Sequence, residues 1–185
     1  MKHALIVNLA GVPGVGKSTG AAYVFSQLKM KGINAELVSE VAKDATWENN
    51  KVALKNSAYL FGAQSLSISR CEDKVDVIVT DSPLFLAILY KDSFRFKDSF
   101  DKCVIDTFKS YNNLTFLVER SKPYSTSGRN QTELESNELI RPLNELIEKY
   151  NIECKRVRGD LIGYNIIVGE TLNELKRRGI KLDEM

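Results

Sequence analysis

Gly11-Val12-Pro13-Gly14-Val15-Gly16-Lys17-Ser18-Thr19 follows directly on the apolar run Ala4-Leu5-Ile6-Val7-Asn8-Leu9-Ala10. Gly11, Gly16, Lys17 and Ser18 satisfy the spacing GxxxxGK[ST], and the pattern stands between a strand-like run and a helix-period segment, the context in which it holds phosphate. Glycines let the backbone curl so that successive N–H groups point at phosphate oxygens, and the following helix adds its positive N-terminal end. Lys17 is placed to neutralise β and γ phosphates, the Ser18 hydroxyl to ligate Mg²⁺, and Thr19 to meet the α-phosphate, with Pro13, Gly14 and Val15 part of the same nucleotide-binding loop. ATP and Mg²⁺ are the expected cofactors. An ordinary glycine-rich strand-to-helix turn is the plainer alternative, set aside by the complete pattern and its placement. The loop alone does not separate a kinase from an ATPase, nor ATP from GTP.

Outward from this loop, short apolar runs alternate with longer helix-period segments, the signature of a parallel sheet covered by helices on both faces. Strands are expected at Ala4–Ala10, Ala35–Ser39, Val75–Thr80, Leu114–Val118 and Cys154–Val157, and helices at Lys17–Lys31, Lys55–Asp73, Phe100–Ser110, Glu133–Tyr150 and Leu161–Arg178. Gly32 closes the first helix and Pro83 is expected to open one after the third strand. The polar stretch from about 120 to 132 is the most loop-like and suits a lid. The fold class read from this is α/β, a P-loop NTPase three-layer sandwich with a central five-stranded parallel sheet and a lid loop. The 185 residues suit one such domain spanning 1–185.

Lysine and arginine number 26 against 24 acidic residues, a net of +2 that marks neither a nucleic-acid coat nor a membrane-surface protein. Cys71, Cys103 and Cys154 are scattered and odd in number, which points to reduced thiols in a cytoplasm. The opening Met1-Lys2-His3 is followed by a short apolar stretch that runs straight into the phosphate loop instead of a cleavage site, and the longest clear apolar run, Leu84–Leu89, falls far short of a membrane span. A cytoplasmic location and no membrane partner are therefore expected, with monomer and homodimer both open.

The third strand ends Thr80-Asp81-Ser82-Pro83, which sends Asp81 to the carboxyl edge of the sheet as a Mg²⁺-shell ligand; a helix N-cap is the competing reading. A single acid there, with no second one beside it, favours transfer over water activation. The second strand ends at Glu40, the candidate base facing the γ-phosphate from the acceptor side, with Asp44 able to share the role and a solvated glutamate as the alternative. In Tyr59-Leu60-Phe61-Gly62-Ala63-Gln64 the aromatic residues are either acceptor contacts or core, while Gln64 can bond two edges of a base and Arg70 can hold an acceptor phosphate. Arg120 and Arg129 bracket the lid as candidate transition-state cations, a charge-rich surface loop being the alternative. Arg158 and Asp160 fall where such folds clasp the purine. His3 reads as structural and Lys176-Arg177-Arg178 as a solvated helix end.

GVPGVGKST, Ser39-Glu40, FGAQ, VIVTDSP and the lid ER-x-KPY-x(3)-GR-x-QTE together resemble the small P-loop kinase-like proteins of bacteriophages, described as AAA-type ATP-binding proteins and similar to the kinase domain of nicotinamide-riboside kinases. One branch similar to this pattern is the phage 5-hydroxymethyluracil DNA kinases, which are thymidylate-kinase-like. The resemblance covers nearly the whole chain. It implies an ATP-dependent phosphotransferase acting on a nucleoside-type hydroxyl, most specifically the hydroxymethyl group of 5-hydroxymethyluracil in DNA, with free nucleoside, nucleotide or nicotinamide riboside as the nearby alternative. It carries Gly11, Gly16, Lys17, Ser18 and Thr19 for nucleotide, Asp81 for metal, and Arg120 and Arg129 for the lid. The near-neutral net charge departs from what a duplex-DNA substrate requires. A regulatory ATPase switch is the reading from another class.

Overall fold

The computed structural model describes residues 3–124 and 132–180. Five strands, β1 (Leu5–Ala10), β2 (Ala35–Val38), β3 (Val77–Thr80), β4 (Asn112–Glu119) and β5 (Lys155–Arg158), form one sheet in the order β2-β3-β1-β4-β5. All four pairings are parallel, with Leu5 opposite Val77 on one side and Asn112 on the other. Every residue of β1 and β3 is buried, as strands covered on both faces should be, whereas edge strand β5 buries only Val157. Lys155 and Arg156, which break the apolar run of β5, pair outward with Glu170 and Glu119 at 2.6 and 2.9 Å.

Parallel neighbours need crossover connections, and right-handed crossovers distribute the helices over the two faces. α1 (Lys17–Met30) packs beside α9 (Leu161–Arg177). The other layer is built from α4 (Ser57–Ser69), α5 (Leu86–Leu89), α6 (Asp98–Ser110) and α8 (Ile140–Lys149), with α5 touching each of the other three. This is the three-layer α/β arrangement of a P-loop NTPase domain.

Where the elements differ from expectation, local chemistry gives the reason. The helix expected from Lys55 starts at Ser57, because the Asn56 side chain accepts the Tyr59 N–H at 3.0 Å and caps it. Ahead of it lie two short helices that apolar periodicity does not signal, α2 (Val41–Trp47) and α3 (Lys51–Leu54). The helix expected over Glu133–Tyr150 divides into α7 (Glu133–Glu138) and α8, since Pro142 has no N–H to give the Glu138 carbonyl. Pro83 opens a turn, not a helix: Leu86 N–H bonds the Pro83 carbonyl at 3.0 Å, and α5 begins only there. The lid expected over 120–132 lies largely outside the described residues.

Candidate active site

The loop after β1 and the ends of β2 and β3 share the carboxyl edge of the sheet, where α1 begins. Gly11, Gly14 and Gly16 have φ of +148°, +81° and +101°, a region closed to most side chains. Space excludes a Cβ as well: at Gly14 it would stand 2.5 Å from the Tyr124 ring, and at Gly16 2.4 Å from the Tyr164 hydroxyl oxygen.

The loop is held from outside by its carbonyls. The Ser136 hydroxyl donates to the Pro13 carbonyl at 2.7 Å, Arg120 donates to the same oxygen at 3.3 Å, and the Tyr164 hydroxyl donates to Gly16 O at 2.9 Å. Because a peptide's C=O and the next N–H point in opposite directions, these bonds turn the N–H groups of Gly14 and Lys17 the other way. Gly159 lies so close beneath that a Cβ on it would sit 1.9 Å from the Val15 carbonyl. Lys17 Nζ donates to the Val12 carbonyl at 3.1 Å.

Facing the loop is a cavity of about 670 Å³. Pro13, Gly14 and Gly16–Thr19 line one side, and Glu40 and Asp81 also reach it. Asp81 is 4% exposed, and its Oδ1 has no hydrogen-bond partner among the described residues. It does not cap α5, whose N-cap is Phe85. Glu40 is half-buried at the N-cap position of α2, its carboxylate making no cap bond. Burial lifts its carboxyl above the ordinary range and Asp81 adds to this, against the opposing pull of Lys17 and Lys43.

Gln64 explains how Glu40 is held. Its Oε1 accepts the Val41 N–H at 3.0 Å and its Nε2 donates to the Ser39 carbonyl at 3.3 Å, so one buried amide clasps both peptide groups that flank Glu40. Both ends of the expected base-reading amide thus bond the backbone, and Gln64 also lines the cavity. Three of the expected acceptor contacts, Asp44, Tyr59 and Arg70, lie away from the cavity. Asp44 is exposed on α2, whose cavity-facing residues are Ala42, Lys43, Thr46 and Trp47. Tyr59 is exposed on the far side of α4, while Leu60 and Phe61 line the cavity. Arg70 follows the end of α4, bonded to Ser67 at 3.1 Å; the chain there reaches the opposite edge of the sheet, where Glu72 O accepts the Ala4 N–H.

Arg120 is bound, not poised to swing. Besides Pro13 O it donates to Ser136 at 2.8 Å, Asn137 at 2.8 Å and Glu133 at 3.1 Å, with its guanidinium over the Tyr124 ring. It thereby ties α7 to the phosphate loop. Arg129 lies outside the described residues. Arg158 and Asp160 pair with each other at 2.8 Å, and Asp160 caps α9 by accepting the Gly163 N–H. That backbone bond lowers the Asp160 carboxyl below its usual range, helped by Arg158. Neither residue lines the cavity; Gly159 between them and Tyr164 in the first turn of α9 lie beneath the phosphate loop.

A family model described as an AAA domain matches residues 6–162. The chain belongs to the AAA domain family. The match runs from β1 into the first turn of α9, and so takes in the phosphate loop, Glu40 and Asp81. It supports a P-loop domain that binds a nucleotide and acts on it by hydrolysis or phosphoryl transfer, chemistry for which such domains generally use ATP and Mg²⁺. No curated protein matches the chain. Among the described residues no helix is long and apolar enough to cross a membrane.

Proposed function

We propose that the protein is a kinase, moving the γ-phosphate of ATP to a hydroxyl of a nucleoside-type acceptor. What carries the reading is the cavity: the phosphate loop opens into a walled space with room for a second molecule and a carboxylate at the junction, where a hydrolase needs only water. The 5-hydroxymethyl group of 5-hydroxymethyluracil in DNA is the most specific acceptor, supported by the lid pattern; free nucleoside, nucleotide or nicotinamide riboside are the alternatives within the same chemistry.

The residues fit a divalent cation, since the buried, unpartnered Asp81 Oδ1 and Ser18 line the same cavity. Asp81 and Ser18 would hold Mg²⁺, which when bound supplies charge neutralisation for the β and γ phosphates. The inward N–H groups of the loop cradle the phosphates. Lys17 exchanges its bond to Val12 O for a phosphate oxygen. Glu40 accepts the acceptor hydroxyl's proton, its raised affinity for protons bringing it closer to the working pH than a free glutamate. Gln64 keeps Glu40 in place.

A screen with γ-labelled ATP against nucleosides, nucleotides, nicotinamide riboside and hydroxymethylated or plain DNA tests the reading, with Lys17→Ala as the inactive control. Label should pass to one acceptor class, with ATP consumption rising when that acceptor is added. Turnover indifferent to every acceptor would replace the kinase with a regulatory ATPase.

A further inference from the structure

The cavity wall opposite the phosphate loop has a chemistry of its own. Trp47, Leu54, Leu60, Phe61, Leu86 and Tyr90 give it an apolar, aromatic surface, and its two acids are Glu40 and Asp81. Lys17 and Lys43 are the cations among its described lining residues. Lys17 belongs to the donor side, and Lys43 lies in the exposed first turn of α2. Arginine, which grips a phosphate through two parallel N–H groups, does not occur among those lining residues. Arg70, the sequence's candidate for that task, stands at the other edge of the sheet, and Arg120 is committed to four acceptors.

Resting on the kinase reading, we propose that this wall selects an acceptor that is a neutral, aromatic-bearing alcohol and rejects its phosphomonoester. A monoester would carry about two negative charges to a wall where Glu40 is the carboxylate not assigned to Mg²⁺ and the exposed Lys43 is the acceptor-side cation among the described lining residues, so little there offsets its desolvation. A neutral ring loses little on leaving water and gains contact with Trp47, Phe61 and Tyr90. The alcohol can come as a free nucleoside or as a hydroxymethyl-bearing base turned out of a DNA strand, whose diester phosphates would remain at the mouth.

Trp47 is the single tryptophan and lines this wall, so its fluorescence reports on this cavity. The test is a titration of the whole protein, with Mg²⁺ and a non-hydrolysable ATP analogue, against thymidine, 5-hydroxymethyldeoxyuridine, their 5′-monophosphates, and a single-stranded oligonucleotide carrying the hydroxymethylated base. At least one nucleoside or the oligonucleotide should change the Trp47 signal saturably, and the matching monophosphate should bind about 30-fold more weakly or worse, as like charges in a desolvated site demand. The nucleoside and oligonucleotide arms tell the two sources apart. Glu40→Gln, confirmed as folded by its thermal transition, should narrow the gap to a few-fold. A monophosphate binding as tightly as its nucleoside, a gap unchanged in Glu40→Gln, or no response to any compound would overturn the proposal. No phosphate moves in this titration, so its outcome is separate from that of the label-transfer screen.

Discussion

Replacing Gln64 with leucine tests the link between the buried scaffold and the chemistry. Gln64 is 5% exposed, and leucine fills nearly the same volume, so the packing change is small. What is lost is the pair of bonds at 3.0 and 3.3 Å to Val41 N–H and Ser39 O, which leaves two peptide groups unpaired at the start of α2. An unsatisfied group in a part-buried setting costs about 1–3 kcal/mol, and the longer bond lies at the lower end, giving a total of roughly 2–3 kcal/mol. For a chain of this size that lowers the melting temperature by about 4–12 °C. Glu40, held by the backbone on each side, then shifts, and a displacement of about 1 Å at a reacting group costs roughly 10- to 100-fold in turnover. The assay pairs calorimetric melting with acceptor-dependent kcat and with the affinity for ATP, which should stay near wild type because the phosphate loop is untouched. In the double variant with Glu40→Gln, the kcat losses should fall well short of multiplying, since both act through one group. A leucine variant melting within about a degree of wild type and turning over at the wild-type rate would refute the assignment of Gln64 as a positioning residue.

Further outcomes follow from three other residues of the site. Asp81→Asn removes a buried negative charge whose Oδ1 has no hydrogen-bond partner among the described residues, so the nucleotide-free protein should melt higher by a few degrees while Mg²⁺-dependent ATP turnover falls at least about 100-fold; calorimetry and a steady-state assay read both. Burial holds the Glu40 proton more tightly in the folded protein than in the unfolded chain. Its stability contribution is therefore full below the ordinary carboxylate range and lost as pH rises through the raised value, and Glu40→Gln should remove that loss in a series of melts against pH. In wild type the acid limb of kcat/KM should sit above the range of a free glutamate and vanish in the same variant. Gly159→Ala forces a methyl to 1.9 Å from the Val15 carbonyl; backbone cannot yield as a side chain can, so a loss above about 2 kcal/mol in denaturant melts is expected, together with weakened ATP binding.

The strands and the phosphate loop were legible because their signals are local. GxxxxGKS between an apolar run and a helix period needs no knowledge of the rest of the chain, and β1 and β3 announce themselves as short runs rich in Val, Ile and Leu, buried throughout. The acids at the ends of β2 and β3 reach the cavity for the same reason: a parallel sheet delivers the residues after its strands to one edge. Side-chain facing on short helices was not legible. Asp44 and Tyr59 sit within two residues of cavity-lining neighbours, and a quarter-turn of helix sends them outward. Gln64 was picked out by its chemistry, yet nothing in FGAQ says that Ser39 and Val41 take up both ends of its amide. Arg70 failed on direction, since α4 carries the chain away from the cavity towards the start of β3.

The residues that the motif does not name show why the loop holds its shape. Ser136 and Arg120 reach Pro13 from more than a hundred residues away, Tyr164 reaches Gly16 across 148, and none of these belongs to the phosphate-loop pattern. Glycines at positive φ permit the inward-facing amides, but they equally permit many other loops, since glycine loses more freedom on folding than any other residue. What selects one conformation is the set of donors on the outer carbonyls and the absence of a Cβ at Gly159, Gly14 and Gly16, where neighbours already fill the space. These contacts form with the fold of the domain, so a phosphate bound here would meet an anion site already arranged. The same contacts tie α7 and the N-terminus of α9 to the loop, so a change in either element reaches the phosphate site through one or two hydrogen bonds.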